Sequence, residues 1–496
     1  SDKPQDIFNI NDYEPLGGGR YAEYKNGTTP IPITPRIIQE SDKLARMRRT
    51  HVRNAMKHAW EGYTKYAYGR DEVLPQTKSS RDNWGGMGIT LVDSLDTLWL
   101  MDMKEEFWKA RDWVRDHLKH NHGFSVSLFE TTIRSLGGLL AAYDWSGDTV
   151  FLEKADDLGS RLARAFDKPG GLPGNRIRLD TGQSWGRTNI AECGTLQVEF
   201  RHLAKATNKA EYARKANHLF DLLKAAQPHD GLYPVMVGNN IPPYLSGRIT
   251  FGAMGDSFYE YMLKIWLQGG KVETRYRGMY DKAMDGLHDK LIQKSNPNGL
   301  TYIAESNSGK LIHKMDHLVC FMGGLLALGA YTNPDGLDSP KAQRDLQTGK
   351  ALAYTCYQMY ARMKTGISPE TVNFGGQNDF SIATAYYILR PETVETFFIL
   401  NQLTGDPVYR EWGWEIFQSI EKYCRNEVAY GSLHNVETTE QENKMESFFL
   451  AETLKYLYLL FDPDTEVDIL NKHVFNTEAH PLRMFPQLDI DKAVST

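Results

Sequence analysis

The sequence predicts an all-α chain whose helices pair into hairpins and close into an α/α barrel, with an open helical solenoid as the alternative. Apolar residues recur at the helical period almost without a break from about Pro35 to Phe461, marking fourteen segments. Several neighbours are joined by short hinges ending in Gly or Asn, such as Ser146-Gly147-Asp148, Thr207-Asn208-Lys209 and Thr404-Gly405-Asp406. The remaining length sits in loops at 68–89, 167–190, 227–252 and 364–389, each carrying Gly, Pro or Asn. Seven pairs over residues 36–461 take about 61 residues each, longer than an open repeat needs. Long loops at one end of a closed ring are where function belongs.

In chain order, residues 1–35 contain Gly17-Gly18-Gly19 and Pro30-Ile31-Pro32 and read as an extended arm. Helices are expected at 36–67, 90–101, 104–119, 128–144, 148–166, 191–206, 208–226, 253–268, 271–293, 313–329, 340–363, 391–404, 406–427 and 443–461. After three of the hinges an aromatic precedes a small residue by four: Phe151 and Ala155, Tyr212 and Ala216, Tyr409 and Gly413. That is a weak internal repeat of helical hairpins. Residues 36–481 are therefore expected to form one barrel, and 482–496 a short tail.

Composition narrows the function. A net charge of -6 and a pI near 6.2 leave no electrostatic footprint for nucleic acid. No run of 18 apolar residues is present, so no membrane span is expected in this stretch. The first residue is Ser1 and no signal pattern follows, which reads as a processing boundary and leaves a preceding signal or anchor open. Cys193, Cys320, Cys356 and Cys424 lack Cys-x-x-Cys spacing, against a zinc cluster. Asn26-Gly27-Thr28 is a glycosylation sequon.

Chemistry concentrates at helix starts. In Ile388-Leu389-Arg390-Pro391-Glu392-Thr393-Val394-Glu395, Pro391 suits a first helical residue, with Arg390 just before it. Glu392 and Glu395 then share the first turn, where the helix dipole favours carboxylates; simple electrostatic capping explains them equally well at this point. Ser127-Leu128-Phe129-Glu130 matches a capping box, with Arg134 four residues on. Because Gly137-Gly138 continues that helix with close-packing residues, an inner helix is expected and Glu130 becomes a candidate acid. Asp256 lies at a loop-to-helix junction, where N-capping explains it as well, and His317 begins another apolar helix, where a lone histidine is more often a satisfied core residue than a catalyst. Glu452 sits in the nearly apolar run Ser447–Phe461 and is expensive to bury unless paired or near a metal. Thr477 and Glu478, after the last helix, offer hard oxygens suited to calcium rather than zinc, though a simple turn explains the segment as well at this point. Carboxylates spread over different helices of one cavity, with no phosphate loop or Ser-His-Asp motif, are the equipment of glycoside hydrolysis.

Seven blocks in order resemble the class I α-1,2-mannosidases, glycoside hydrolase family 47: Val92–Leu98, Ser127–Arg134, Gly255–Tyr261, Lys314–Cys320, Leu389–Glu395, Ser447–Phe461 and Phe475–Pro481. The resemblance runs from about residue 45 to Pro481 and is nearest to the Golgi type. It implies an (α/α)7 barrel plugged by a C-terminal hairpin, an inverting mechanism, one calcium ion, and a high-mannose N-glycan on glycoproteins as substrate of a monomeric enzyme. Carried over by position, it makes Glu130 the acid, Glu392 the base and Asp256 the third catalytic carboxylate, with the roles of Asp256 and Glu392 open to exchange. Thr477 becomes the direct metal ligand; Glu395, Glu452 and Glu478 order waters or sugar hydroxyls; Arg134, His317, Arg390 and Phe448 contact the sugar. The resemblance also implies a Cys320–Cys356 disulfide, free Cys193 and Cys424, and an oxidising lumen. Met254 stands where single-branch endoplasmic-reticulum members carry arginine, which favours Golgi-type breadth. The rival reading is a mannose-binding lectin of glycoprotein degradation on the same fold; a terpene cyclase is remote, for no Asp-Asp-x-x-Asp motif is present.

Overall fold

The structure, a computed structural model, describes residues 33–226, 228 and 230–485; the expected arm 1–35, except for its last residues, and all but the start of the tail lie outside these. Among the described residues the fourteen expected helices are all present. They are α1 (Pro35–Ala67), α2 (Ile89–Leu100), α3 (Lys104–His117), α4 (128–146), α5 (Thr149–Leu162), α6 (Gln197–Thr207) and α7 (Ala210–Ala225). There follow α8 (Asp256–Gln268), α9 (Thr274–Lys290), α10 (Met322–Tyr331), α11 (Pro340–Ala361), α12 (Glu392–Thr404), α13 (Val408–Tyr423) and α14 (449–460).

Two kinds of helix alternate. In α8 every residue after Asp256 is buried, whereas α3 buries only Phe107, Ala110 and Val114. A helix buried all round is an inner stave, and one with a single buried stripe is an outer one. The helices pack as α2 on α3, α4 on α5, α6 on α7, α8 on α9, α10 on α11 and α12 on α13. The seventh pair joins the two ends of the chain: α1 lies on α14, and α14 also touches α2, which closes the ring. Hinge chemistry explains the tight returns. Gly147, Asn208 and Gly405 end their helices in the left-handed region at φ 73°, 57° and 73°. Asp148 and Asp406 then accept from the N–H groups of Val150 and Val408 at 3.0 and 2.9 Å.

Four expected helices begin or continue differently. Residues 313–316 are not helical: Lys314–Asp316 is a strand paired with Thr371–Asn373, and a 3-10 turn (His317–Phe321) leads into α10. Residues 443–446 are also non-helical. The expected helix 191–206 breaks at Gly194, where a Cβ would stand 2.4 Å from both the Ile190 carbonyl oxygen and the Phe258 ring. The expected helix 253–268 starts only at Asp256. Short antiparallel hairpins occupy the long loops, and strands of two to four residues are too short for any period to register.

The last hairpin, His473–Phe475 with Pro481–Arg483, plugs the ring. Its turn is buried against the inner helices: Asn476 Nδ2 donates to the Ile133 carbonyl and to Glu199, both at 2.9 Å. Gly137 makes room, since a Cβ there would stand 2.4 Å from Asn476 Nδ2. The expected Cys320–Cys356 disulfide is present with Cα atoms 5.9 Å apart, and Cys193 and Cys424 are buried free thiols.

Near the ring closure, α1 is tied to α13 by Arg48, whose guanidinium donates to both oxygens of Glu411 at 2.9 and 3.1 Å with side chains 1% and 6% exposed. Removing one partner of such a pair leaves the other charge buried. Glu411→Ala should cost about 3–5 kcal/mol in chemical denaturation, and a loss below about 1 kcal/mol would mean the pair does not hold the closure.

Candidate active site

Four inner helices point their N-termini at one cavity of about 340 Å³ whose base carries the plug turn. Eight carboxylates line it: Glu130, Glu192, Asp256, Glu260, Glu392, Glu395, Glu452 and Glu478. Only two guanidinium groups, Arg134 and Arg390, share the wall, with Phe448, Met254 and Thr477. Helix N-termini favour anions, so the backbone offsets part of the charge. The remainder appears as displaced proton affinities. Burial pushes Asp256 up to about 7, with the Ser257 N–H opposing and Glu260 adding to the rise. Burial also pushes Glu392 up to about 8 against the pull of Arg390, with Glu370 and Asp256 raising it further. Glu395 and Glu452 are driven well above the carboxylate range, first by burial and then by neighbouring carboxylates.

Local contacts orient the wall. At α4, Ser127 Oγ accepts from the Glu130 N–H at 3.1 Å, the forward half of the capping box. The return half is replaced: Glu130 Oε2 accepts from Arg134 Nε at 2.8 Å. Arg134 lies over the Trp84 ring at 4.3 Å and the Phe448 ring at 5.6 Å, and its NH1 donates to Ser447 Oγ at 3.2 Å. At α12, Pro391 is the cap rather than the first helical residue; its carbonyl accepts from the Glu395 N–H at 2.9 Å, and Glu392 opens the helix. Arg390 is held by Glu370 at 2.7–2.9 Å and stands 3.8 Å from Glu392 Oε1.

His317 is the expected site residue that does not reach the wall; its neighbour Leu318 does. The strand at Lys314–Asp316 turns the ring inward, where Nε2 meets Tyr360 OH at 2.9 Å and Thr393 Oγ1 at 3.0 Å. Burial pushes its pKa down to about 3, so the imidazole is neutral. All other expected catalytic and binding residues, and Thr477, line the same cavity.

Sequence reasoning passed over Glu192, Glu260 and Trp84. Glu192 had a signal, for Asn189-x-x-Glu192 is a capping-box spacing, and Asn189 Oδ1 accepts from the Glu192 N–H at 2.9 Å. Glu260 falls four residues after Asp256 on one helix face, and Lys264 holds it at 2.9 Å. Trp84 had none, because its place over Arg134 is set by Asp71, which accepts from four backbone N–H groups of the loop around it.

The donor set fits a hard cation. Among the described residues no three His, Cys, Asp or Glu side chains converge as a metal-ligating group, and Thr477 and the wall carboxylates offer oxygen donors of the kind a hard cation takes. Glu392 Oε2 and Glu478 Oε2 are buried without a protein hydrogen-bond partner, Glu478 Oε2 having Arg134 Nε at 3.5 Å, so both fit a site that takes a polar ligand or cation.

Comparison with known proteins agrees with this chemistry. The model of glycosyl hydrolase family 47 matches residues 55–484. The chain is 45% identical over 494 residues to mannosyl-oligosaccharide 1,2-alpha-mannosidase MNS1 of Arabidopsis thaliana, covering 98% of this chain and 87% of that protein. It is 43% identical to the endoplasmic reticulum mannosyl-oligosaccharide 1,2-alpha-mannosidase of Mus musculus, covering 93% and 72%. Its fold is similar to the solved alpha-1,2-mannosidase from Trichoderma reesei at a TM-score of 0.83 and 28% identity, covering 89% and 99%.

The excess of buried acid makes stability fall with rising pH. Asp256 and Glu392 hold protons up to about 7 and 8 in the fold, against about 3.9 and 4.3 when unfolded. Between those limits the folded state binds more protons, so the stability these groups contribute is complete below about pH 4 and is lost as pH rises to about 8. In chelator, the melting temperature should fall from pH 5 to 8, and Glu392→Gln should make the slope shallower. An unchanged slope in the variant would count against the assignment.

Proposed function

The chain belongs to glycosyl hydrolase family 47, and from that premise we propose that it is a calcium-dependent, inverting exo-α-1,2-mannosidase. Its substrate is the high-mannose N-glycan of glycoproteins, trimmed with Golgi-type breadth in the lumen of the secretory pathway. The observation that carries the reading is the cavity itself: eight carboxylates against two guanidinium groups, closed below by a threonine-bearing turn. That set suits a neutral, hydroxyl-rich ligand together with a divalent cation.

Glu130 acts as the acid at the leaving oxygen, directly or through one water, with Arg134 holding Oε2 so that Oε1 remains for the proton. Glu392 takes the proton of the attacking water through Oε2, the oxygen without a protein partner. Asp256 stands beside it as the third carboxylate, and the two exchange roles in the second version of the scheme. Phe448 offers an apolar face to the ring, and Arg390, fixed by Glu370, donates to sugar hydroxyls. A calcium ion at the hydroxyl and carbonyl of Thr477, with waters ordered by Glu395, Glu452 and Glu478, would grip two sugar hydroxyls and supply the positive charge the wall lacks. Met254, in the wall two residues before Asp256 and with φ 78°, is an uncharged thioether, which leaves room for more than one branch.

Incubating the protein with a nine-mannose N-glycan and following products by mass should show stepwise loss of several mannoses, arrested by chelator and restored by calcium. A clean stall after one mannose would overturn the breadth, and binding without loss would make the protein a lectin. Glu392→Gln should retain calcium binding by calorimetry while kcat drops about 10²–10⁴-fold; near-normal turnover would remove Glu392 from the chemistry.

A further inference from the structure

A second group of charges lies directly under the cavity and is balanced within itself. Lys455 on α14 donates to Asp96 Oδ2 at 2.7 Å and to the carbonyl of Ala479 at 2.5 Å. His480 has both ring nitrogens against carboxylates: Nδ1 is 3.1 Å from each oxygen of Asp96, and Nε2 is 2.8 Å from Asp93 Oδ1. An imidazole so placed donates from both nitrogens and is therefore an imidazolium. Two carboxylates from α2 meet one ammonium and one imidazolium, with the side chains of Asp96, Lys455 and His480 at most 1% exposed.

These contacts close on the turn that carries Thr477. Ala479 holds φ 61°, a left-handed conformation that a β-carbon disfavours and that persists only where its surroundings over-determine it. Lys455 grips the carbonyl of that residue, Asn476 Oδ1 accepts from the N–H groups of Glu478 and His480 at 3.0 and 2.9 Å, and Tyr261 OH accepts from the Thr477 N–H at 3.2 Å. The cluster also reaches the wall above, since Ser447 Oγ donates to Asp93 Oδ2 at 2.6 Å and accepts from Arg134. The wall sets eight carboxylates against two guanidinium groups; this layer matches its two carboxylates with two cations. All of these bonds come from the chain itself, so they order the turn without help from an ion and lower the cost of ordering it at binding.

We propose that Lys455, Asp96 and His480 form a clamp of positioning residues that sets the cation affinity of the Thr477 site by locking the turn 476–480 in advance. This rests on the calcium reading, and the test separates the two. Calcium is titrated calorimetrically into the chelator-treated chain, and amide exchange of 476–480 is followed without the ion. Lys455→Met should weaken calcium binding about tenfold or more, the scale of one charge-assisted hydrogen bond, and raise exchange locally in the turn. Lys455→Arg should restore much of both. Should Lys455→Met fail to fold, Asp96→Asn, which keeps the shape and removes a charge, carries the same two expectations. Unchanged affinity and exchange in a folded variant overturn the clamp, as does a uniform rise in exchange over the whole barrel, the mark of a merely structural role. A parent chain that takes up no calcium defeats the calcium reading instead; exchange in the turn then decides, and a turn as protected in the variant as in the parent overturns the clamp.

Discussion

Everything in this molecule has to accommodate eight carboxylates gathered in one cavity. Desolvating a charge costs several kcal/mol even after relaxation, and like charges at close range add to it. Glu392, Glu395 and Glu452 show the result in proton affinities far above the ordinary carboxylate range. A flexible scaffold would relax by turning these side chains outward. A ring of inner helices buried on every side has no such freedom: Glu130, Asp256, Glu260, Glu392, Glu395 and Glu452 sit in the first turns of helices that neighbours hold in place, and Glu478 sits on the buried plug turn. The electrostatic strain is kept where a polar ligand and a cation can relieve it, and the rest of the barrel supplies the stability that offsets it.

Below that cavity the chemistry reverses. Asp93 and Asp96 are as deeply buried as any wall acid, yet His480 and Lys455 stand against them. A layer that balances its own charges is thus stacked under one that does not. The plug hairpin enters the ring at this layer: its turn meets the inner helices through Asn476, which donates to the Ile133 carbonyl and to Glu199.

Much of this was legible from residues in order. Gly147, Asn208 and Gly405 announced the returns because a helix that ends in the left-handed region needs such a residue, and fourteen helical segments followed. Gly137-Gly138 correctly marked α4 as an inner helix, because close approach requires missing side chains. Glu130, Asp256, Glu392, Glu395 and Glu452 were picked out by position at helix starts or by charge in an apolar run, Glu478 by its hard oxygens after the last helix, and one cavity brings them together. His317 lies outside the lining and is bonded to Tyr360 and Thr393, the satisfied core histidine that its place at the start of an apolar helix allowed, whereas its contact with the sugar came from the resemblance alone. Glu192 and Glu260 were readable as spacings but were not separated from ordinary caps and ion pairs.

Local rules by themselves determined which segments are helices, where they stop, which faces are apolar and which acids stand near helix starts, for these depend on residues within about four positions of one another. Only the tertiary structure decided that α1 pairs with α14 rather than α2, that Trp84 covers Arg134, and that His480 faces Asp93 and Asp96 across almost 400 residues. Those contacts exist because a closed ring brings the two ends of the chain together. Closure is a property of seven packed pairs, and no stretch of the sequence carries it alone.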